Sequence, residues 1–302
     1  MNAGILGWNL ERQPVQMPGA ALGSLARFSM PYGRQMHQEA QNWYARLLAA
    51  RTTASEPTMA AVDEFCRSVD NAGLRNCLYR VNLFCGANLT AALIPLFTNL
   101  SPSLPALGNA TDVNQNFVSA NFVEYGTGTG GGITSDGSAK RLNTGLSPSL
   151  MQMSQQGHLS VYHTVAPTVD TTGRRVIGTF GATGSDWVLM DGRSSGIQGT
   201  WGSSTPISVG SGANAAGHWL VTRRSTQQVA LSVNGAVVAS SNTQVVPTAA
   251  KTPIQVFATE NQPDWFVTTL GMYSIGTGMS VQQAVSFYAI VKQFMLRMKR
   301  AT

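Results

Sequence analysis

Apolar positions recur at helical spacing in only a few stretches of the chain. In residues 36–52, Met36, Ala40, Trp43, Leu47 and Leu48 share one face at intervals of three or four, which predicts a helix. A second helix is expected from Pro57 to Leu74, with Met59, Val62, Phe65, Cys66 and Val69 as its buried stripe and proline in its first turn. LYRVNLF (78–84) reads as a strand, and a short helical patch follows at Leu89–Leu93. Residues 1–35 have no period and carry Pro14, Pro18, Pro31 and five glycines, which suits an extended arm. The turn-rich segment 99–112 is the expected internal boundary, so that 36–110 forms a small helical docking segment and 111–302 a second domain.

From about residue 115 the pattern changes to short runs of Val, Ile and aromatics separated by turn residues, including HLSVYHTVA, RRVIGTFG, DWVLMDGR, HWLVTRR and FVTTLGMYSIG. Val229, Leu231 and Val233 alternate and meet Asn234-Gly235, a strong hairpin signal. Eight or more antiparallel strands with little helix between them imply a mainly β fold, a sandwich or jelly roll. The chain then closes on a helix. Ser280 and Gln283 have the spacing of a capping box, and Val281, Ala284, Val285, Tyr288, Val291, Phe294, Met295 and Met298 form a broad apolar face. Gln282, Ser286, Lys292 and Arg300 are expected on the opposite, solvated face.

Composition narrows the class. Apolar residues make up 43% of the 302 positions, enough for a sizeable core, while charged residues make up only 11%, which excludes a typical disordered chain and a Glu/Lys coiled coil. The net charge is +6, but Lys292, Arg297, Lys299 and Arg300 supply four of those charges at the end of the last helix. There they complement the helix dipole, and no basic stripe with interleaved aromatics exists, so no nucleic-acid partner is expected. Cys66, Cys77 and Cys85 are odd in number and fit no zinc spacing, which predicts reduced, buried thiols made in a reducing cytoplasm. The opening MNAGILGWNL lacks the basic and long apolar parts of a secretory signal. The longest apolar stretch, Ala87–Phe97, is too short for a bilayer, so no membrane insertion is expected.

Candidate chemistry is sparse. Gly126-Thr-Gly128-Thr-Gly130-Gly131 matches a dinucleotide-type glycine pattern, but turn and strand follow it where a phosphate-binding helix N-terminus is needed, so no cofactor is expected. Gly192-Arg-Ser194-Ser-Gly196 matches a nucleophile elbow in letters only, because β or loop follows. Asp186 and Asp191 are five apart and point to opposite faces of one strand, which argues against paired carboxylates and a catalytic set. His158 and His163 face opposite ways for the same reason, and with His37 and His218 they offer no metal site. The one binding surface the residue types suggest is for a glycan: Trp201 and Trp265 to stack a sugar ring, with Arg193, Asn261 and Asp264 to bond its hydroxyls. The alternative is that these tryptophans fill the core.

LGMYSIGTGMSVQQAVSFYAIVKQFMLRMKR (270–300) resembles the final strand and helix of concanavalin A-like (laminin-G-like) jelly rolls in tailed-bacteriophage virion proteins. SDGSAKRLNTGLSPS (135–149) is similar to an early strand of those modules and LSVNGAVVASSN (231–242) to their middle hairpin. VDEFCRSVDNAGLRNCLYRVNLFCG (62–86) is similar to the leader that precedes them. The resemblance implies a concanavalin A-like β-sandwich and a structural virion protein without an enzymatic role, assembled in the host cytoplasm. It implies a tail fibre or fibre-attachment protein, with a capsid decoration protein as the alternative. Its expected partners are other tail or capsid proteins and copies of itself, with host surface polysaccharide as a further ligand. A host-glycan-binding lectin and a polysaccharide depolymerase are the competing readings.

Overall fold

A computed structural model describes residues 35–126, 130–153, 156–168, 174–180, 188–193, 195–203, 205–210, 215–224, 228–242, 249–259 and 267–301. Two helices come first, α1 (Gln38–Ala49) and α2 (Glu56–Asn71). The Ser55 side chain caps α2 by accepting from Thr58 N–H, proline follows in the first turn, and the predicted stripe Met59, Val62, Phe65, Cys66 and Val69 is buried. On α1, Met36, Ala40, Trp43 and Leu47 are buried as the spacing requires, but Leu48 lies at the edge of that face and is exposed. After β1 (Leu78–Asn82) and the four-residue α3 (Leu89–Ala92), the chain is almost entirely β until α4 (Val281–Arg297).

The described strands build two antiparallel sheets. In chain order the remaining strands are β2 (Val113–Gln115), β3 (Phe122–Val123), β4 (Gly132–Thr134), β5 (Arg141–Asn143), β6 (Gly157–His163), β7 (Arg174–Thr179) and β8 (Val188–Arg193). They continue with β9 (Gly196–Trp201), β10 (Ile207–Val209), β11 (Gly217–Arg223), β12 (Val229–Val233), β13 (Ala236–Ser241), β14 (Gln255–Val256) and β15 (Thr269–Gly276). One sheet runs β13-β12-β11-β6-β15-β4-β3, with β1 added beside β15, and the other runs β10-β9-β8-β7-β14-β5-β2. The expected mainly β, lectin-like jelly-roll sandwich is therefore the architecture. The core lies between the sheets, where Leu159, Val161, Trp219, Val221 and Ile275 of the first sheet share one cluster with Val176, Met190, Ile197 and Val256 of the second.

Local signals are used as their physics demands. Asn234 and Gly235 both take positive φ, 51° and 80°, and join β12 to β13 in a tight hairpin. Ser280 Oγ accepts from Gln283 N–H at 3.1 Å while Gln283 Oε1 accepts from Ser280 N–H at 2.8 Å, which completes the capping box of α4. That helix sits between two partners. Phe287 lies against the His158 and His218 rings on the outer face of the first sheet, and Phe294 meets Phe65 of α2 at 5.8 Å.

Two expectations change. The segment 99–112 does not separate two domains, because His37–Thr302 form one compact unit. The physical reason is that β1 is a strand of the main sheet, paired with β15 from Leu78 to Asn82. A buried network reinforces that seam: Asp112 accepts from Asn82 Nδ2 at 2.8 Å and from the Tyr273 hydroxyl at 2.7 Å, with the Arg80 guanidinium 3.7 Å away. Burial pushes the Asp112 carboxyl above the usual range, and Arg80 partly offsets this.

The second change concerns Arg300, expected on a solvated helix face. The helix ends at Arg297, and Arg300 is buried. Its guanidinium donates to the carbonyls of Phe84 (2.7 Å), Glu124 (2.8 Å), Leu83 (3.0 Å) and Gly271 (3.1 Å). Burial lowers its pKa to about 10. The arm expected over 1–35 lies outside the described residues apart from Gln35.

Candidate functional site

Of the five residues proposed for sugar stacking, the structure describes Trp201 and Arg193. Trp201 ends β9 and has no exposure, because its ring packs against Gly157 of the facing sheet. A Cβ at Gly157 would lie 2.1 Å from that ring, so the glycine is what admits it. A ring held this way is core and cannot stack a sugar. Arg193 is at the end of β8, where with Arg175 it pairs Asp191. Asn261, Asp264 and Trp265 lie outside the described residues, as do Asp186 and Ser194.

The other motifs resolve by topology. β8 and β9 are consecutive antiparallel strands, so the Gly192–Gly196 string is strand, turn, strand and lacks the helix an elbow needs. Gly126, which follows Tyr125, serves the C-terminal segment: its N–H donates to Met298 O at 3.0 Å, and a Cβ on it would fall 1.9 Å from Lys299 O. His158 faces α4 and His163 faces Trp219, on opposite sides of β6. His158 Nε2 lies 2.9 Å from Ser274 Oγ, which lies 2.7 Å from Ser160 Oγ. This Ser–His chain is sealed under α4, and burial lowers the histidine to about 4. Cys66, Cys77 and Cys85 are free and buried, and burial raises the Cys85 thiol to about 12.

A different set of side chains converges where α4 leaves the outer face of the first sheet. A cleft of about 320 Å³ opens there, lined by Tyr162, Asn234, Tyr288, Lys292 and Lys299 among others. Tyr162 comes from β6, opposite His218 of β11, and Asn234 from the β12–β13 turn. Tyr288 and Lys292 are one helical turn apart on α4, with the ammonium 6.0 Å from the ring centroid. Lys299 follows the helix end at φ 55°, the left-handed position where glycine is usual. Its N–H reaches Leu296 O at 3.0 Å and Arg300 N–H reaches Met295 O at 2.8 Å, which closes the helix as a Schellman turn.

The described lining holds cations and neutral groups and no acid. None of the described residues lining the cleft is Asp or Glu, and neither Lys292 nor Lys299 has an ion-pair partner among the described residues. Asn234 Oδ1 is spent on His218 N–H at 2.9 Å, which leaves its amide nitrogen as the remaining group. Burial raises the Tyr162 phenol, with Tyr288 adding to the rise, so Tyr162 stays a protonated donor. Sequence reasoning missed this cleft, because its parts come from β6, a hairpin turn and the two sides of a helix end.

No protein-family model matches the sequence, and no curated protein matches it. Solved structures similar to the chain include a Trypanosoma rangeli sialidase in complex with 2,3-difluorosialic acid (10% identity, TM-score 0.41, 76% of this chain and 39% of that one). A mutant of NanB sialidase from Streptococcus pneumoniae is another (12% identity, TM-score 0.37, 48% of this chain and 26% of that one). The CBM40 of Ruminococcus gnavus IT-sialidase, bound to alpha2,3 sialyllactose, is a third (9% identity, TM-score 0.34, 42% of this chain and 78% of that one). The chain thus spans well under half the length of both sialidase structures. The likeness concerns the fold alone, and no property of those proteins is carried to this chain.

Proposed function

We propose that this chain is a structural component of a tailed-phage virion, a tail fibre or fibre-attachment protein. It docks through its N-terminal part and presents the β-sandwich. The observation that carries the reading is the unit Leu270–Arg300. Its sequence resembles the closing strand and helix of virion jelly rolls, and it organises the whole sandwich: β15 pairs with β6, β4 and β1, while α4 covers the sheet beside them. The role is to hold contacts, with no reacting group of its own. In support, Asp191 is held by Arg175 and Arg193 in a buried ion pair, which disfavours it as an acid or base for a depolymerase. Capsid decoration is the alternative location for the same role. A host-glycan-binding role is the second reading, and the donor-lined cleft favours it.

The test is incorporation. Phage carrying a deletion of residues 1–30 is expected to yield particles that lack the chain. Truncated chain at full occupancy in purified particles contradicts docking through that end.

A further inference from the structure

We infer that the cleft between Tyr162, Tyr288, Lys292 and Lys299 is a binding site for an acidic saccharide, a sugar unit that carries one carboxylate or phosphate. The inference does not depend on a virion role.

Charge gives the first half. Lys292 of α4 and Lys299 of the turn that closes it border one cleft with no carboxylate in its described lining. Arg300 binds the carbonyl of one acid, Glu124. Its carboxylate is taken by Thr58 Oγ1 at 2.7 Å and Gly86 N–H at 2.9 Å. The Arg300 guanidinium is likewise consumed by four carbonyls, so the lysines are the groups left for a ligand. Uncompensated cations around a concavity favour an anion.

Size and the neutral donors give the second half. A cleft of about 320 Å³ is larger than a bare inorganic ion needs and reaches the lower range of small-molecule sites. Its neutral groups, the two phenols and the Asn234 amide, match hydroxyls. The phenols have no hydrogen-bond partner among the described residues.

The experiment is titration calorimetry on the full chain at low salt with glucuronic acid, glucose 6-phosphate, inorganic phosphate and glucose. Binding of either acidic sugar, with glucose and phosphate each about tenfold weaker or undetected, is the expected result. The two acidic sugars decide which anion the site prefers. Lys292→Met and Lys299→Gly should each weaken the acidic sugar about tenfold or more. Lys299→Gly should leave the melting temperature unchanged or higher, which separates lost binding from lost folding. Equal binding of glucose, phosphate as tight as glucose 6-phosphate, affinity indifferent to both substitutions, or no binding of any probe at millimolar concentration overturns the inference.

Discussion

At the scale of single residues, the charges that are buried do structural work, and Arg300 is the clearest case. Its guanidinium serves four carbonyls, those of Leu83, Phe84, Glu124 and Gly271. Arg300→Met leaves those carbonyls buried without their donor, and a loss of about 3–5 kcal/mol is expected in urea unfolding. A loss below about 1 kcal/mol contradicts the assignment. Nothing in the sequence distinguished Arg300 from Arg297, which pairs Glu64 at the surface. Both are cations at a helix end, and only the closing turn beyond Met298 directs one of them inward. Trp201 was obscured in the same way. Its neighbours in GTWGSS are small and polar, so the string reads as loop, yet the space above Gly157 makes it core.

At the scale of elements, α4 rests on a layer of polar side chains where an apolar one would be usual. His158 and His218 lie beneath it against Phe287, and His163 is buried on the other face of β6. Burial lowers these histidines to about 4, 3 and 3, respectively for His158, His163 and His218. Their neutral forms fit the fold and their charged forms do not. The sign follows: the folded values lie below the unfolded value near 6.5, so the stability is fully present above about pH 6.5. It is lost progressively as the pH falls toward 3–4. Going from pH 7.5 to 5.5 is expected to remove about 4 kcal/mol from the three together, read by denaturant unfolding at each pH. A stability that is flat over that interval contradicts the buried neutral layer. The elements themselves were largely legible. The α2 stripe, the Asn234-Gly235 hairpin and the Ser280–Gln283 capping box each carry a local rule that tertiary contacts reinforce. The short strands β4, β10 and β14 have two or three residues each and no such rule, so only pairing with neighbours defines them.

At the scale of the whole molecule, the helical leader and the sandwich are one folding unit. The turn-rich stretch 99–112 looked like a linker because composition marks turns and not the contacts around them. β1 lies before it and β15 far after it, and the Arg80–Asp112–Tyr273 network spans the two. A fragment of residues 111–302 therefore lacks a strand and strands Asp112 without Arg80 and Asn82. It is expected to show poor amide dispersion and no cooperative unfolding, whereas residues 36–302 show both. Cooperative unfolding of the shorter fragment restores the two-domain division. The cleft belongs to this scale as well, since its donors come from β6, the β12–β13 turn and the end of α4.

The role proposed for this folded unit is that of a contact-holding part of a phage particle. Imaging of purified particles at a resolution that traces the backbone tests it most directly. The expected result is density for the two-sheet sandwich with α4 on its outer face, in symmetric copies on the tail or head and joined to the particle through the N-terminal end. Particles that match the intact phage in every other component but contain no copy of this chain contradict the claim.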